Sequence, residues 1–222
     1  MPRRRVAILI SGRGSNMSAL IDAAKNPNYP AEIVLVLSNR SDAQGLARAA
    51  EAGIPTQTID HVPFGKDRQA FDSAVNEALR SRGVELICLA GFMRLLTPWF
   101  VEQWQERLLN IHPALLPAFK GLDTHARALA AGVKIHGASV HFVVPEMDSG
   151  AIIAQGGLAV REDDTPESLA RRVLGIEHQL YPAALKLVAE GRVRLHDGRC
   201  IVDADSSSEN ILLVPDVAST AR

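Results

Sequence analysis

Three stretches of this chain, Val6-Ala7-Ile8-Leu9-Ile10, Ile33-Val34-Leu35-Val36-Leu37 and Leu86-Ile87-Cys88-Leu89-Ala90, are apolar at every position. A strand with one face in water alternates polar and apolar residues, so runs with no polar face belong to strands covered on both sides. The segments between them read as helices. Asp42 to Ala52 has Ser41 as its N-cap and Gly53 beyond its end, and Asp67 to Arg82 is closed by Gly83. Ile54 to Ile59 reads as a short strand. This alternation builds a parallel sheet with right-handed crossovers, so the expected fold class is α/β, doubly wound. At 222 residues the chain supplies one substantial core, and one domain is expected.

The second half is less regular. Thr97-Pro98 starts a short helix with threonine as cap and proline at the first position. Arg107 to Ile111 is a short, mostly apolar strand. Ala138 to Val144 and Ala151 to Val160, joined by a Pro145 to Gly150 turn, predict an antiparallel hairpin. Thr165-Pro166-Glu167 opens a long helix towards Gly191, bent near Pro182. Arg192 to Leu195 and Cys200 to Val202 flank a turn at His196-Asp197-Gly198. After Asp203 the chain is serine-rich and polar except for Ile211-Leu212-Leu213-Val214, a patch suited to docking on the body.

Charge and composition exclude several functions. With 24 basic and 25 acidic residues the formal charge is −1, so no global field favours nucleic acid or a membrane surface. Arg3-Arg4-Arg5 reads as a solvated chain end. No apolar run approaches the ~18–20 residues that cross a bilayer. The first one is too short for a signal peptide and enters a glycine loop directly. Cys88 and Cys200 are too isolated for a disulfide framework or a metal site. A cytoplasmic protein is expected.

Two segments carry chemistry. Ser11-Gly12-Arg13-Gly14-Ser15-Asn16 lies between the first strand and a helix beginning near Met17. Its glycines let the backbone approach an anion, Ser15 and Asn16 add donors, and the helix start adds free N–H groups, which suits a phosphate monoester. The loop lacks the Walker spacing, and Met17 stands where a dinucleotide fingerprint needs its third glycine. The same glycines would also serve a tight turn. In Leu109-Asn110-Ile111-His112-Pro113, Asn110 and His112 are two residues apart on a strand and share a face at its carboxyl end, where open α/β sheets bind ligands. An amide donor beside a titratable imidazole suits a carbonyl oxygen that gains negative charge, hence acyl-type transfer. His125, His136 and His141 lack zinc spacing, so no metal is expected. His141 lines the cleft from its strand.

Four motifs now stand in order: Ser11-Gly12-Arg13-Gly14-Ser15-Asn16, Leu89-Ala90-Gly91-Phe92-Met93-Arg94-Leu95-Leu96, Asn110-Ile111-His112-Pro113 with Leu115-Leu116-Pro117, and His136-Gly137-Ala138-Ser139-Val140-His141-Phe142-Val143. With Asp148-Ser149-Gly150 they closely resemble the folate-dependent phosphoribosylglycinamide formyltransferases, from Val6 to about Leu195. The resemblance implies a single formyltransferase domain over 1–203, with a Rossmann-like sheet, and a tail over 204–222. The N-terminal half would bind phosphoribosylglycinamide (GAR), and the C-terminal half would bind folate and hold the catalytic groups. It implies transfer of the formyl group of 10-formyltetrahydrofolate, a cosubstrate, to the amine of GAR in purine biosynthesis. No tightly bound cofactor is implied, and the protein would be a monomer or homodimer acting on small molecules.

By motif position, the resemblance makes Asn110 a donor to the developing oxyanion, and His112 its stabilising imidazolium. Asp148 becomes the carboxylate that holds His112, with a nearby water carrying the proton. It assigns Gly14, Ser15, Asn16 and Glu177 to GAR, and Arg68, Met93, Arg94, Leu95, Leu96 and Asn110 to folate. Leu174, Glu177 and Tyr181 share one helical stripe, which puts Glu177 at the edge of a buried face. Ala114 stands where relatives often carry serine. Formyltetrahydrofolate deformylase and methionyl-tRNA formyltransferase share the core motifs. A non-catalytic nucleotide-binding module would explain the glycine loop but leave Asn110, His112 and Asp148 without a purpose.

Overall fold

A computed structural model describes residues 2–203. Nine strands and six α-helices alternate as β1 (Arg4–Ile10), α1 (Ser15–Ala24), β2 (Ala31–Ser38), α2 (Gln44–Glu51), β3 (Thr56–Thr58), α3 (Arg68–Ser81), β4 (Leu86–Leu89) and α4 (Pro98–Gln103), then β5 (Leu108–His112), α5 (Thr124–Ala130), β6 (Ile135–Phe142), β7 (Ile152–Ala159), α6 (Pro166–Ala189), β8 (Val193–His196) and β9 (Arg199–Val202). β1 to β7 form one sheet in the order β3-β2-β1-β4-β5-β6-β7. The pairs from β3 to β5 are parallel, while β6 runs antiparallel to both β5 and β7. The chain works outward from β1 to β3, then returns to the other side of β1 as β4. The strand order therefore reverses between β1 and β4, and their carboxyl ends open a crevice there.

The all-apolar runs are covered on both faces, as their composition requires. Val6, Ile8 and Ile10 of β1 pack with Met17, Leu20, Tyr181 and Leu185, whereas Ala7 and Leu9 pack with Phe71, Val75, Leu79, Phe100 and Trp104. α1 and α6 thus cover one face and α3 and α4 the other. The hairpin of β6 and β7 forms as expected, and Asp197-Gly198, both at positive φ, turns β8 into β9.

Several boundaries differ from the sequence reading. α2 starts at Gln44, with Ala43 and not Ser41 at its N-cap, and the Gly45 N–H donates outside the helix, to the Gly12 carbonyl at 3.0 Å. α1 starts at Ser15, since Gly14 already turns the chain in the left-handed region. β5 extends through His112, whose backbone pairs with Ser139 of β6. α6 stays helical through Pro182, whose carbonyl accepts from the Tyr29 hydroxyl at 2.7 Å, and Thr165 caps it with Ser168 in a reciprocal box. Thr97 caps α4 as read from the sequence, whereas Asp67, read as the first residue of its helix, lies just outside α3 as its cap. The Ile211–Val214 patch lies outside the described residues.

Candidate active site

The carboxyl ends of β1, β4 and β5 bring three loops together. The Ser11 hydroxyl joins the first two: it donates to Asn39 Oδ1 at 2.6 Å and accepts from the Met93 N–H at 2.8 Å, while the Ser11 N–H donates to the Gly91 carbonyl. The glycine loop therefore sits directly beside the Gly91–Leu96 segment.

Gly14 is the N-cap of α1 at φ 72°, and a Cβ there would lie 3.0 Å from the Cα of Gly45. Both the conformation and the space require glycine. Gly14→Ala is expected to cost about 1–2 kcal/mol of stability through the left-handed strain alone. Urea unfolding of the two proteins measures it, and an unchanged midpoint would show that the loop relaxes freely.

Asn16, on the first turn of α1, donates from Nδ2 to Glu177 Oε2 of α6 at 2.5 Å, and both side chains are buried. This contact joins residues 161 apart in sequence. Burial pushes the Glu177 carboxyl up from the ordinary carboxylate range, against the opposing hydrogen bond from Asn16. A raised carboxyl contributes stability below its unfolded pKa and loses it as the pH climbs through the folded value. Glu177→Gln removes that ionisation, so it is expected to melt above wild type at about pH 7.5 and level with it near pH 4. Thermal unfolding at both pH values checks the sign. The same gain at both would mean that ionisation is not the cause.

Asn110 and His112 share a face of β5, as the i, i+2 spacing requires. In the β5–β6 register Asn110 lies opposite His141. The His141 Nδ1 lies 2.8 Å from the Phe142 carbonyl, which can only accept, so the proton sits on Nδ1. The free Nε2 lone pair then accepts from Asn110 Nδ2 at 3.2 Å. That arrangement fixes the amide and leaves a second N–H of Asn110 unspent. Burial lowers the His141 pKa, which favours the neutral ring that this pairing needs.

His112 is buried, with Nε2 3.0 Å from the Phe119 carbonyl and Nδ1 3.4 Å from Asp148 Oδ2. Both ring nitrogens thus face oxygen acceptors. Asp148 sits in the turn after β6 at φ 50°, and its Oδ2 also accepts from the Gly121 N–H at 2.8 Å. Gly150 lets that turn lie flat on the strand, since a Cβ there would come within 1.7 Å of the Phe142 carbonyl oxygen. Asn110, His112 and Asp148 therefore converge.

Behind them His136 Nε2 meets His125 Nδ1 at 3.2 Å, and burial drives the His136 pKa down to about 4. Among the described residues no three His, Cys, Asp or Glu side chains converge in a way that could hold a metal ion. No helix of the described residues is long and apolar enough to cross a membrane.

Of the residues expected to face folate, Met93 and Leu95 are 70 and 63 % exposed. Arg68 lies across the same segment, donating from Nη2 to the Leu95 and Leu96 carbonyls at 2.8 and 3.2 Å. Arg94 stacks on the Phe71 ring, 4.6 Å from its centroid. Two supporting groups escaped the sequence reading. Ser139 accepts from the Leu116 N–H and donates to the Ala114 carbonyl, anchoring the turn after His112, and Gln155 binds both Ser139 and Leu116. Their only sequence signal is a polar residue within a strand.

A doubly wound sheet with an amide, an imidazole and a carboxylate at the carboxyl ends of its strands, near a glycine loop that opens a helix, is the setting of an enzyme of group transfer at a carbonyl. The chain belongs to the formyl transferase family, whose model matches residues 4–185. Within it the likeness is to phosphoribosylglycinamide formyltransferases. The Haemophilus influenzae enzyme of that name is 42% identical over 90% of this chain and 94% of its own length. The solved glycinamide ribonucleotide transformylase 1 of Symbiobacterium toebii superposes with a TM-score of 0.87 at 44% identity, covering 90% of this chain and 94% of that one. The trifunctional purine biosynthetic protein adenosine-3 of Gallus gallus is 53% identical over 86% of this chain, which spans only 19% of that protein's length. A formyltetrahydrofolate deformylase from Pseudomonas syringae shares the fold at a TM-score of 0.83 and 27% identity, covering 90% of this chain and 66% of that one.

Proposed function

We propose that the protein transfers the formyl group of 10-formyltetrahydrofolate to the amine of GAR, giving N-formyl-GAR and tetrahydrofolate. The observation that carries this reading is the convergence of Asn110, His112 and Asp148 at the carboxyl end of β5, on the sheet edge that also carries the glycine loop and the segment with the exposed Met93 and Leu95.

The phosphate of GAR lies at Gly14, Ser15 and Asn16, where free N–H groups and the α1 dipole favour an anion. Glu177, set by Asn16, takes the ribose or glycinamide end. The pterin lies against Met93 and Leu95, with the backbone of Arg94 and Leu96 available for its polar edge. The GAR amine attacks the formyl carbon, forming a C–N bond and placing negative charge on the formyl oxygen. The unspent N–H of Asn110 donates to that oxygen, and the His112 ring, whose two nitrogens face Phe119 and Asp148, stabilises its charge as an imidazolium that Asp148 balances. The intermediate collapses by breaking the bond to N10, and the proton shed by the amine reaches N10 through a water near Asp148. The bonds to the donor and acceptor nitrogens exchange, and no redox partner is needed. Two free cysteines, one of them buried, suit a cytoplasmic setting.

The deciding experiment follows 10-formyltetrahydrofolate spectroscopically with and without GAR. Consumption only when GAR is present is the expected result. Equal consumption without it, with formate released, identifies a deformylase. No consumption in either case leaves a binding module.

A further inference from the structure

One face of α3 grips the segment after β4 at three successive points. Arg68, Phe71 and Asp72 stand at i, i+3 and i+4, on a single stripe of the helix. Arg68 binds the Leu95 and Leu96 carbonyls, Phe71 carries the Arg94 guanidinium, and Asp72 Oδ2 accepts from the Thr97 N–H at 2.6 Å. Asp72 is 1 % exposed, and its Oδ1 is buried without a hydrogen-bond partner. A buried carboxylate with one oxygen unmet is costly to stability, and an apolar side chain would fill the site at less expense. The single bond it makes ends the stretch whose outer side chains, Met93 and Leu95, stand in solvent.

We infer that Asp72 is a positioning residue for the folate-binding face: its bond to Thr97 fixes the far end of the Met93–Leu96 segment and thereby the spacing of that apolar wall. This rests on the proposed assignment of the segment to the folate donor. Asp72 does not reach the reacting atoms. It acts by holding the segment to α3, which lowers the ordering cost that the ligand would otherwise meet.

The test is equilibrium titration of the full chain with tetrahydrofolate, read by fluorescence of Trp99 and Trp104 just beyond the segment, beside calorimetric titration with GAR. Asp72→Ala is expected to weaken tetrahydrofolate about tenfold and GAR less than twofold, roughly the loss of one hydrogen bond to a charged group. Asp72→Asn, which keeps an oxygen that can accept from Thr97, is expected to restore most of the affinity. Should Asp72→Ala fail to fold, Asp72→Ser removes the same bond with a smaller cavity and carries the same expectation. Unchanged tetrahydrofolate affinity, or equal weakening of both ligands alongside a lower Tm, overturns the inference. Because binding is read without turnover, a failure of the transferase reading shows separately, in the wild-type assay.

Discussion

His112→Ala is expected to lower kcat about a hundredfold to a thousandfold while leaving the KM of either substrate within about threefold of wild type. The magnitude is that of one preorganised electrostatic group beside a developing oxyanion, roughly 3–4 kcal/mol. The split between kcat and KM follows from timing. The formyl oxygen acquires its charge only as the amine attacks, so a positive ring beside that oxygen stabilises the transition state and not the bound substrate. The imidazole is buried between Asp148 and the Phe119 carbonyl, so its loss also leaves Asp148 Oδ2 with the Gly121 N–H as its remaining partner. Steady-state kinetics with both substrates varied, on protein whose Tm and circular dichroism match wild type, measure the effect. A kcat within about fivefold of wild type would remove His112 from the mechanism.

Asp148→Asn is expected to lower kcat by about tenfold to a hundredfold, the value of one hydrogen bond to a charged partner in a water-poor site. The substitution is nearly isosteric, and the amide oxygen can still accept from Gly121. What it removes is the negative charge facing the His112 Nδ1. Because Asp148 works on the reaction through the imidazole, the double variant with His112→Ala is expected to be no slower than His112→Ala alone. Multiplicative losses in that double-mutant cycle would instead give Asp148 an independent part in moving the proton from the amine to N10.

Much of this architecture was legible in the chain because the signals are local. A stretch of strand buried on both faces must be apolar throughout, and residues 6–10 of β1, 33–37 of β2 and 86–89 of β4 are. Asn110 and His112 share a face because a strand repeats every two residues, whatever surrounds it. Thr97, Thr165 and Asp67 cap helices because a side-chain oxygen within three residues can meet a free N–H. Boundaries failed where a distant or competing partner intervened. The local sequence predicts Ser41 as the cap of α2, but the glycine loop takes the Gly45 N–H, and the helix starts later.

The site itself divides in the same way. The residue types and their order, including the resemblance to formyltransferases, were present in the sequence. Which of them touch was decided by tertiary structure. Asp148 reaches His112 only because β6 runs antiparallel beside β5 and Gly150 lets the next turn press against the strand. Asn16 meets Glu177 only because α1 and α6 pack on the same face of the sheet. His141 sets the Asn110 amide through a cross-strand register that no window of sequence contains. The physical reason is one of range. Period, cap and turn are set by backbone geometry within a few residues, and each can be read from those residues alone. A pairing across 161 positions is selected by how two buried surfaces fit, after the chain has already closed the loop between them.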